Sequence, residues 1–366
     1  MPSIGHRIVA QNAMLTGTVP PGSSSVIADL HPAYFAMVMA TGIVSIAALL
    51  VGLHAVAVTL FPANVCFAFV LAALTILRIV RFPARVIADL SDHRRAVGFF
   101  TLVAATSVLG SQVLLITGLR SVATILWILA IVFWAALTYG VFTALTVTRS
   151  KPTLAEGING GWLVAVVAPQ SIVVLGVQLA SGYGAYAEPV LFFCLAMWLG
   201  AGMLYIWIIS LIFYRYTFFL LEPSDLAPPY WINMGAVAIS TLAGSFLVLE
   251  APQSTLLVQL LPFLKGLTLL FWATATWWIP MLVILGVWRH AIQRFPLRYD
   301  PLYWGAVFPL GMYTACTWRL SQAIDVPSLA SIPRMFVFVA LTAWTLTFVG
   351  FVHSLIARRR RQVPAV

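Results

Sequence analysis

Few side chains in this chain could do chemistry. It has 10 Asp and Glu and 6 His among 366 residues. The histidines are His6, His31, His54, His93, His290 and His353, and no two stand at metal-ligand spacing. No HExxH, GxSxG or phosphate-binding loop occurs. A catalytic centre, a metal site and a cofactor are therefore not expected. What remains is a scatter of hydroxyls and amides inside apolar stretches: Thr41, Ser45, Thr106, Ser107, Gln112, Gln170, Ser171, Asn233, Ser240, Thr241 and Thr314. Such groups can replace part of an anion's hydration shell without trapping the ion. Each also has a plainer use, because Ser and Thr often bond back to their own helix. Helix-loosening or slim residues (Gly42, Pro169, Gly311) and Met312 share those stretches and join them as candidates to line a conduit. No acidic residue falls at mid-span, which argues against a cation route and against a carboxylate proton relay.

The stretch Tyr303–Trp318, YWGAVFPLGMYTACTW, sets one large ring, Phe308, directly before Pro309 among small residues. Proline removes a backbone hydrogen bond and permits a local bend. Arg319 follows Phe308 by 11 residues, almost three helical turns, so the two share a face about 16 Å apart. Gly305, Met312 and Ala315 complete that stripe. A cation at a pore mouth concentrates anions; the plainer reading is an arginine snorkelling to headgroups.

The elements that would carry these residues are membrane helices. The chain is 62% hydrophobic and 8% charged, against roughly 25% charged residues in soluble domains. Ten apolar spans are predicted at about 32–53, 55–80, 97–117, 121–147, 160–180, 188–214, 231–250, 264–290, 301–321 and 332–356, joined by short loops. Residues 1–30 are polar and rich in Gly, Ser and Pro, and are expected to form a mobile cytoplasmic arm; 31–356 form one transport domain and 357–366 a basic cytoplasmic tail. With the N-terminus in the cytoplasm, 16 Lys and Arg fall inside and 4 outside (Arg120, Lys265, Arg319 and Arg334). The net charge of +10 is then mostly topology and requires no nucleic acid. The expected location is the inner or plasma membrane. Cys66, Cys194 and Cys316 lack CxxC spacing and are expected as small buried hydrophobes.

The spans repeat as five hairpins whose starts lie about 63 to 71 residues apart. Three open alike, with HPAYF at 31–35, PPYW at 228–231 and DPLYW at 300–304, where proline suits a first helical turn and Asp300 can cap. First helices carry small and weakly polar residues; second helices are bulkier and hold mid-span Trp134, Trp198, Trp277, Trp278 and Trp344. Small residues permit close helix packing. An all-α, ten-helix protein follows, with five slim helices ringing a central conduit in quasi-fivefold order and five greasy ones outside. Positions equivalent to Phe308 hold Met39 or Ala40, Ala104 or Ala105, Val167 or Ala168, and Gly235 or Ala236. One ring among small side chains is what a plug on a fivefold axis would look like.

Five hairpins, YFAMVMATGIVS, DLSDHRRAVGFF and WGAVFPLG together resemble the tellurite-resistance/dicarboxylate transporter family over about residues 30–356. That family includes tellurite-resistance proteins of the TehA type, plant slow anion channels, and malate and sulfite transporters. The resemblance implies a central pore, a homotrimer in the bilayer, small inorganic or carboxylate anions as substrates, and Phe308 as the pore plug. The MATGI segment is closer to the malate/sulfite branch, so a proton-coupled dicarboxylate carrier or a sulfite exporter is the alternative to a channel. In a proton-coupled carrier, His31 or His93 could sense pH.

Overall fold

In the computed structural model, residues 27–362 are described, and among them no strand occurs. Ten long helices follow in order: α1 (Pro32–Leu50), α2 (His54–Arg81), α3 (Ala96–Thr117), α4 (Arg120–Val147), α5 (Gly160–Ala180), α6 (Gly184–Phe218), α7 (Pro228–Leu249), α8 (Leu261–Ile292), α9 (Trp304–Ala323) and α10 (Ser331–Gln362). Among the described residues, nine helices are long and apolar enough to cross a bilayer, and α9 is not one of them. Its composition is diluted by Thr314, Thr317, Arg319, Ser321 and Gln322. It is nonetheless buried along nearly its whole length, so neighbouring helices rather than lipid surround Thr314, Thr317 and Ser321, while Arg319 is half-buried and Gln322 exposed at its end. Span ends shift by a few residues from the sequence expectation; α6 and α10 run furthest past it.

The five odd helices all begin in a turn of 3-10 helix, at Pro32–Phe35, Ala96–Phe99, Gly160–Leu163, Pro228–Trp231 and Pro301–Tyr303. Proline opens three of these turns, where its missing N–H has no helical partner to lose. Side chains cap three: Ala33 N–H donates to His31 Nδ1 (3.1 Å), Gly161 N–H to Asn159 Oδ1 (2.8 Å) and Leu302 N–H to Asp300 Oδ1 (2.8 Å). At the other end α3 stops at Gly118, whose φ of 71° suits a residue without a Cβ.

Packing sorts the helices into two sets. α1 touches α3, α3 touches α5, α5 touches α7, α7 touches α9, and α9 returns to α1. Each even helix lies against its own hairpin partner and against the next odd helix: α2 on α1 and α3, α4 on α3 and α5, α6 on α5 and α7, α8 on α7 and α9, α10 on α9 and α1. The odd helices are mostly buried and the even ones mostly exposed: 94% of an 18-residue apolar stretch is buried in each of α5 and α7, against 11% of the same length in α4. Exposed Phe69, Ile128, Trp207 and Phe338 give the outer surface an apolar character suited to lipid. Cys194 and Cys316 are buried as expected, whereas Cys66 is exposed on the outward side of α2.

A polar bond ties each even helix to the odd helix of the next hairpin. Asn64 Nδ2 donates to Gln112 Oε1 (2.8 Å), Trp127 Nε1 to Ile172 O (3.0 Å), Trp198 Nε1 to Ser240 O (2.8 Å), Trp272 Nε1 to Thr317 Oγ1 (3.0 Å) and Trp344 Nε1 to Thr41 Oγ1 (3.0 Å). Five such bonds close the ring of hairpins. Interhelical hydrogen bonds in membranes contribute roughly 0.6 kcal/mol on average, so their main effect is register. Trp198 and Trp344 were visible as mid-span tryptophans; Trp134 and Trp277 make no such bond, and Trp278 donates to Tyr205 Oη (3.1 Å) inside the even layer.

The loops are more structured than short linkers. Pro83–Leu90 is a helix whose Asp89 receives Arg78 (2.7 Å) and Arg95 (2.6 Å). Arg78 also donates to Ala28 O (3.1 Å), and Arg85 pairs with Asp29, so residues 27–30 are anchored. The rest of the expected N-terminal arm lies outside the described residues, as does the end of the basic tail.

Candidate functional site

Two cavities touch all five odd helices and therefore lie within their ring. The narrow one, about 20 Å³, is lined at i, i+3 and i+7 by every helix: Ile43, Ile46 and Leu50; Val108, Ser111 and Leu115; Ser171, Val174 and Gln178; Ile239, Leu242 and Phe246; Met312, Ala315 and Arg319. That spacing is one face of a helix. The wide cavity, about 280 Å³, sits where the N-terminal ends of the same helices meet. Ala33, Thr101, Val164, Ile232 and Gly305 border it. Partial positive charge from five helix N-termini converges there.

Phe308 and Pro309 border neither cavity; along α9 they fall between the residues that do. Gly305 borders the wide cavity and Met312 the narrow one, and Phe308 is fully buried on the same face of α9. The corresponding positions Met39, Ala40, Ala104, Ala105, Val167, Ala168 and Ala236 are buried as well. Pro309 cannot donate to the carbonyl of Gly305, four residues back, so that carbonyl is left free of the helix ladder beside the wide cavity. A Cβ on Gly235 would meet Pro309 Cγ at 2.6 Å, which shows how closely α7 approaches this step. Arg319 lines the narrow cavity, donates from Nη1 to Gln322 Oε1 (2.9 Å) and lies 5.3 Å from the Phe246 ring centroid.

The polar candidates mostly turn away from the ring's interior. Thr41 accepts from Trp344 of α10. A Cβ on Gly42 would meet Val108 and Asn64, so Gly42 serves the contact of α1 with α2 and α3. Thr106 bonds back to Leu102 O (2.8 Å) and Ser240 to Ala236 O (2.7 Å). Gln170 donates to Trp198 O on α6 (3.2 Å). Ser107 is buried with an unpartnered hydroxyl, and Pro169 is buried within α5. None of these borders either cavity. Gly311 packs on α1, where an added Cβ would meet Ile43 and Val44 at 3.0 Å. Of the nine lining candidates only Met312 borders a cavity; Ser171, from the wider polar set, is another. The physical reason is cost: a buried hydroxyl or amide needs a partner, and neighbouring backbone or the even helices supply one.

Residues that sequence reasoning treated as topology determinants instead shape the wide cavity. Arg94 donates from Nε to Glu156 O (2.8 Å). Arg215, at the end of α6, donates from Nε to Ala155 O (2.8 Å) and pairs through Nη2 with Asp225 Oδ2 (3.1 Å). An even helix thus reaches the ring's mouth, contrary to the expectation that odd helices alone line the axis. The signal was the length of the apolar run: α6 continues to Phe218, far enough to carry Arg215 past the membrane-length segment. His31 also lines this cavity, and its pKa is lowered to about 4 by burial and by nearby Arg95.

The described residues form a helical bundle with an apolar outer layer, membrane-length helices and two internal cavities. The profile of the voltage-dependent anion channel family, SLAC1, matches residues 29–352, and the chain belongs to that family. An uncharacterised membrane protein of Mycobacterium tuberculosis is 42% identical over 154 residues, covering 42% of this chain and 78% of the relative. An uncharacterised transporter of Methanocaldococcus jannaschii is 26% identical over 300 residues, covering 80% and 85%. A sulfite efflux pump of Trichophyton rubrum is 25% identical over 348 residues, covering 90% and 91%. The family resemblance read from the sequence is borne out.

Proposed function

We propose that the chain carries small anions through the centre of a ten-helix, quasi-fivefold bundle, with Phe308 closing the path. The observation that supports this most is the pair of cavities inside the five-helix ring, with the buried Phe308 falling along α9 between Gly305 of one and Met312 of the other. Helix N-termini and arginine side chains at the wide cavity favour negative charge. Arg319 at the narrow cavity does the same at the other end. The positive-inside distribution of Lys and Arg supports a cytoplasmic side for the wide cavity and for both chain termini. Residues 31–356 are the transport domain, and the functional unit is a homotrimer in the cell membrane.

Export of sulfite is the favoured alternative to a passive channel, because the fungal relatives that span 90% of this chain are named sulfite efflux pumps. Proton coupling through His31 is disfavoured near neutral pH, where a pKa of about 4 keeps the imidazole uncharged. Purified protein in liposomes decides between these readings. A channel gives chloride, nitrate, sulfite or malate flux set by the anion gradient alone. A coupled carrier gives flux that follows an imposed pH gradient. Absence of flux for all four anions overturns the proposal.

A further inference from the structure

Arg215 is 4% exposed, yet its Nη1 has no hydrogen-bond partner. It borders the wide cavity together with Ala155 and Asp225, the two residues that hold its Nε and Nη2. Leaving a guanidinium nitrogen buried and unpaired is costly. Asp225 satisfies only part of the group, through one oxygen at 3.1 Å, and that same oxygen also accepts from Glu222 N–H (3.0 Å). The Asp225 side chain is 30% exposed, so it can leave without breaking a packed core. Two neighbouring guanidinium nitrogens, one empty and one loosely held, form the fork that recognises paired oxygens. Five helix N-termini add to the same potential.

We propose that the wide cavity is a loading site for a small oxyanion, with Arg215 as its main ligand and Asp225 as a tethered carboxylate that competes for it. This rests on the proposed anion transport. When an oxyanion binds, its oxygens take Nη1 and Nη2, and Asp225 swings toward solvent. Arg94 borders the cavity and raises the local concentration of anions. A halide, a single point charge, uses the fork less well, so the site prefers oxyanions to chloride.

The test is titration calorimetry of full-length detergent-purified protein with sodium sulfite and with sodium chloride, paired with sulfite flux in liposomes. Asp225→Asn removes the competing charge and keeps an oxygen for Glu222 N–H. It should tighten sulfite binding about tenfold, the factor that ~1.4 kcal/mol gives, and lower the half-saturation of flux. Arg215→Lys keeps the charge but loses the fork, and should weaken sulfite binding at least about tenfold while removing the preference over chloride. A folded Asp225→Asn protein whose sulfite affinity is unchanged or weaker overturns the site, even if Arg215→Lys unfolds. Normal flux with unchanged affinities in both variants overturns the site and leaves the conduit standing. Shifted affinities with no anion flux in any variant support the site and sink the conduit.

Discussion

Phe308→Ala tests the central element most directly. Gly305 and Met312 mark the edges of the two cavities, and seven residues of helix separate them by about 10 Å. Phe308 is the large ring in that interval, opposed by Met39 or Ala40, Ala104 or Ala105, Val167 or Ala168, and Gly235 or Ala236. The five even-to-odd hydrogen bonds and the tight contact of Gly235 with Pro309 fix the positions of the surrounding helices, so the space left by the ring should not collapse. A void on the order of 100 Å³ costs about 2.4 kcal/mol at ~24 cal/mol per Å³. Phe→Ala in a soluble core costs roughly 3–5 kcal/mol. The difference is the transfer term, which largely vanishes when the alternative surroundings are lipid, and water entering from the wide cavity lowers the cost further. Anion flux into liposomes should rise at least about tenfold, equivalent to ~1.4 kcal/mol of barrier. Flux and thermal stability are measured on one preparation. A variant that loses more than about 3 kcal/mol of stability and gains no flux refutes the gate.

Arg319→Ala should reduce conductance more at 10 mM than at 150 mM salt, because the screening length falls from about 30 Å to about 8 Å; equal loss at both would assign Arg319 to packing on Phe246. Trp198→Phe loses the pyrrole ring and its bond to Ser240 O, so it should lower unfolding stability by roughly 0.6 to 1.7 kcal/mol for the bond plus the cost of the small cavity left at this buried site, with anion selectivity unchanged; a selectivity change would give the α6–α7 contact at Ser240 a part in conduction. For His31, the folded pKa of about 4 lies below the ordinary 6.5, so the unfolded chain takes the proton first. Stability is full above pH 6.5 and is lost as the pH falls through 4. His31→Asn, which can still cap α1, should flatten that acid limb in thermal melts between pH 7 and 4; an unchanged limb would assign it to other groups.

Much of the fold was legible in the sequence because bilayer thickness and the cost of unpaired backbone act on local composition. Apolar runs gave the spans to within a few residues at most ends, and HPAYF, PPYW and DPLYW marked three of the five helix starts. The phase of 305, 308, 312, 315 and 319 follows from 3.6 residues per turn, and the structure keeps Met312, Ala315 and Arg319 on one cavity wall. Tertiary structure decided which way each polar group faces. Thr41, Gly42, Gln170 and Ser240 sit in the slim helices, but Trp344, Asn64 and Trp198 come from the greasy ones, Trp344 as far as 303 residues from Thr41, and no local pattern reveals a partner on another helix. The same holds for Arg215. Its sequence neighbourhood reads as a charge ending a membrane span, and only the packing of α6 against the loop carrying Asp225 and the short helix Leu154–Gly157 brings its guanidinium to the cavity. Burial then leaves Nη1 without a protein partner, a condition that arises from three segments meeting and from none of them alone.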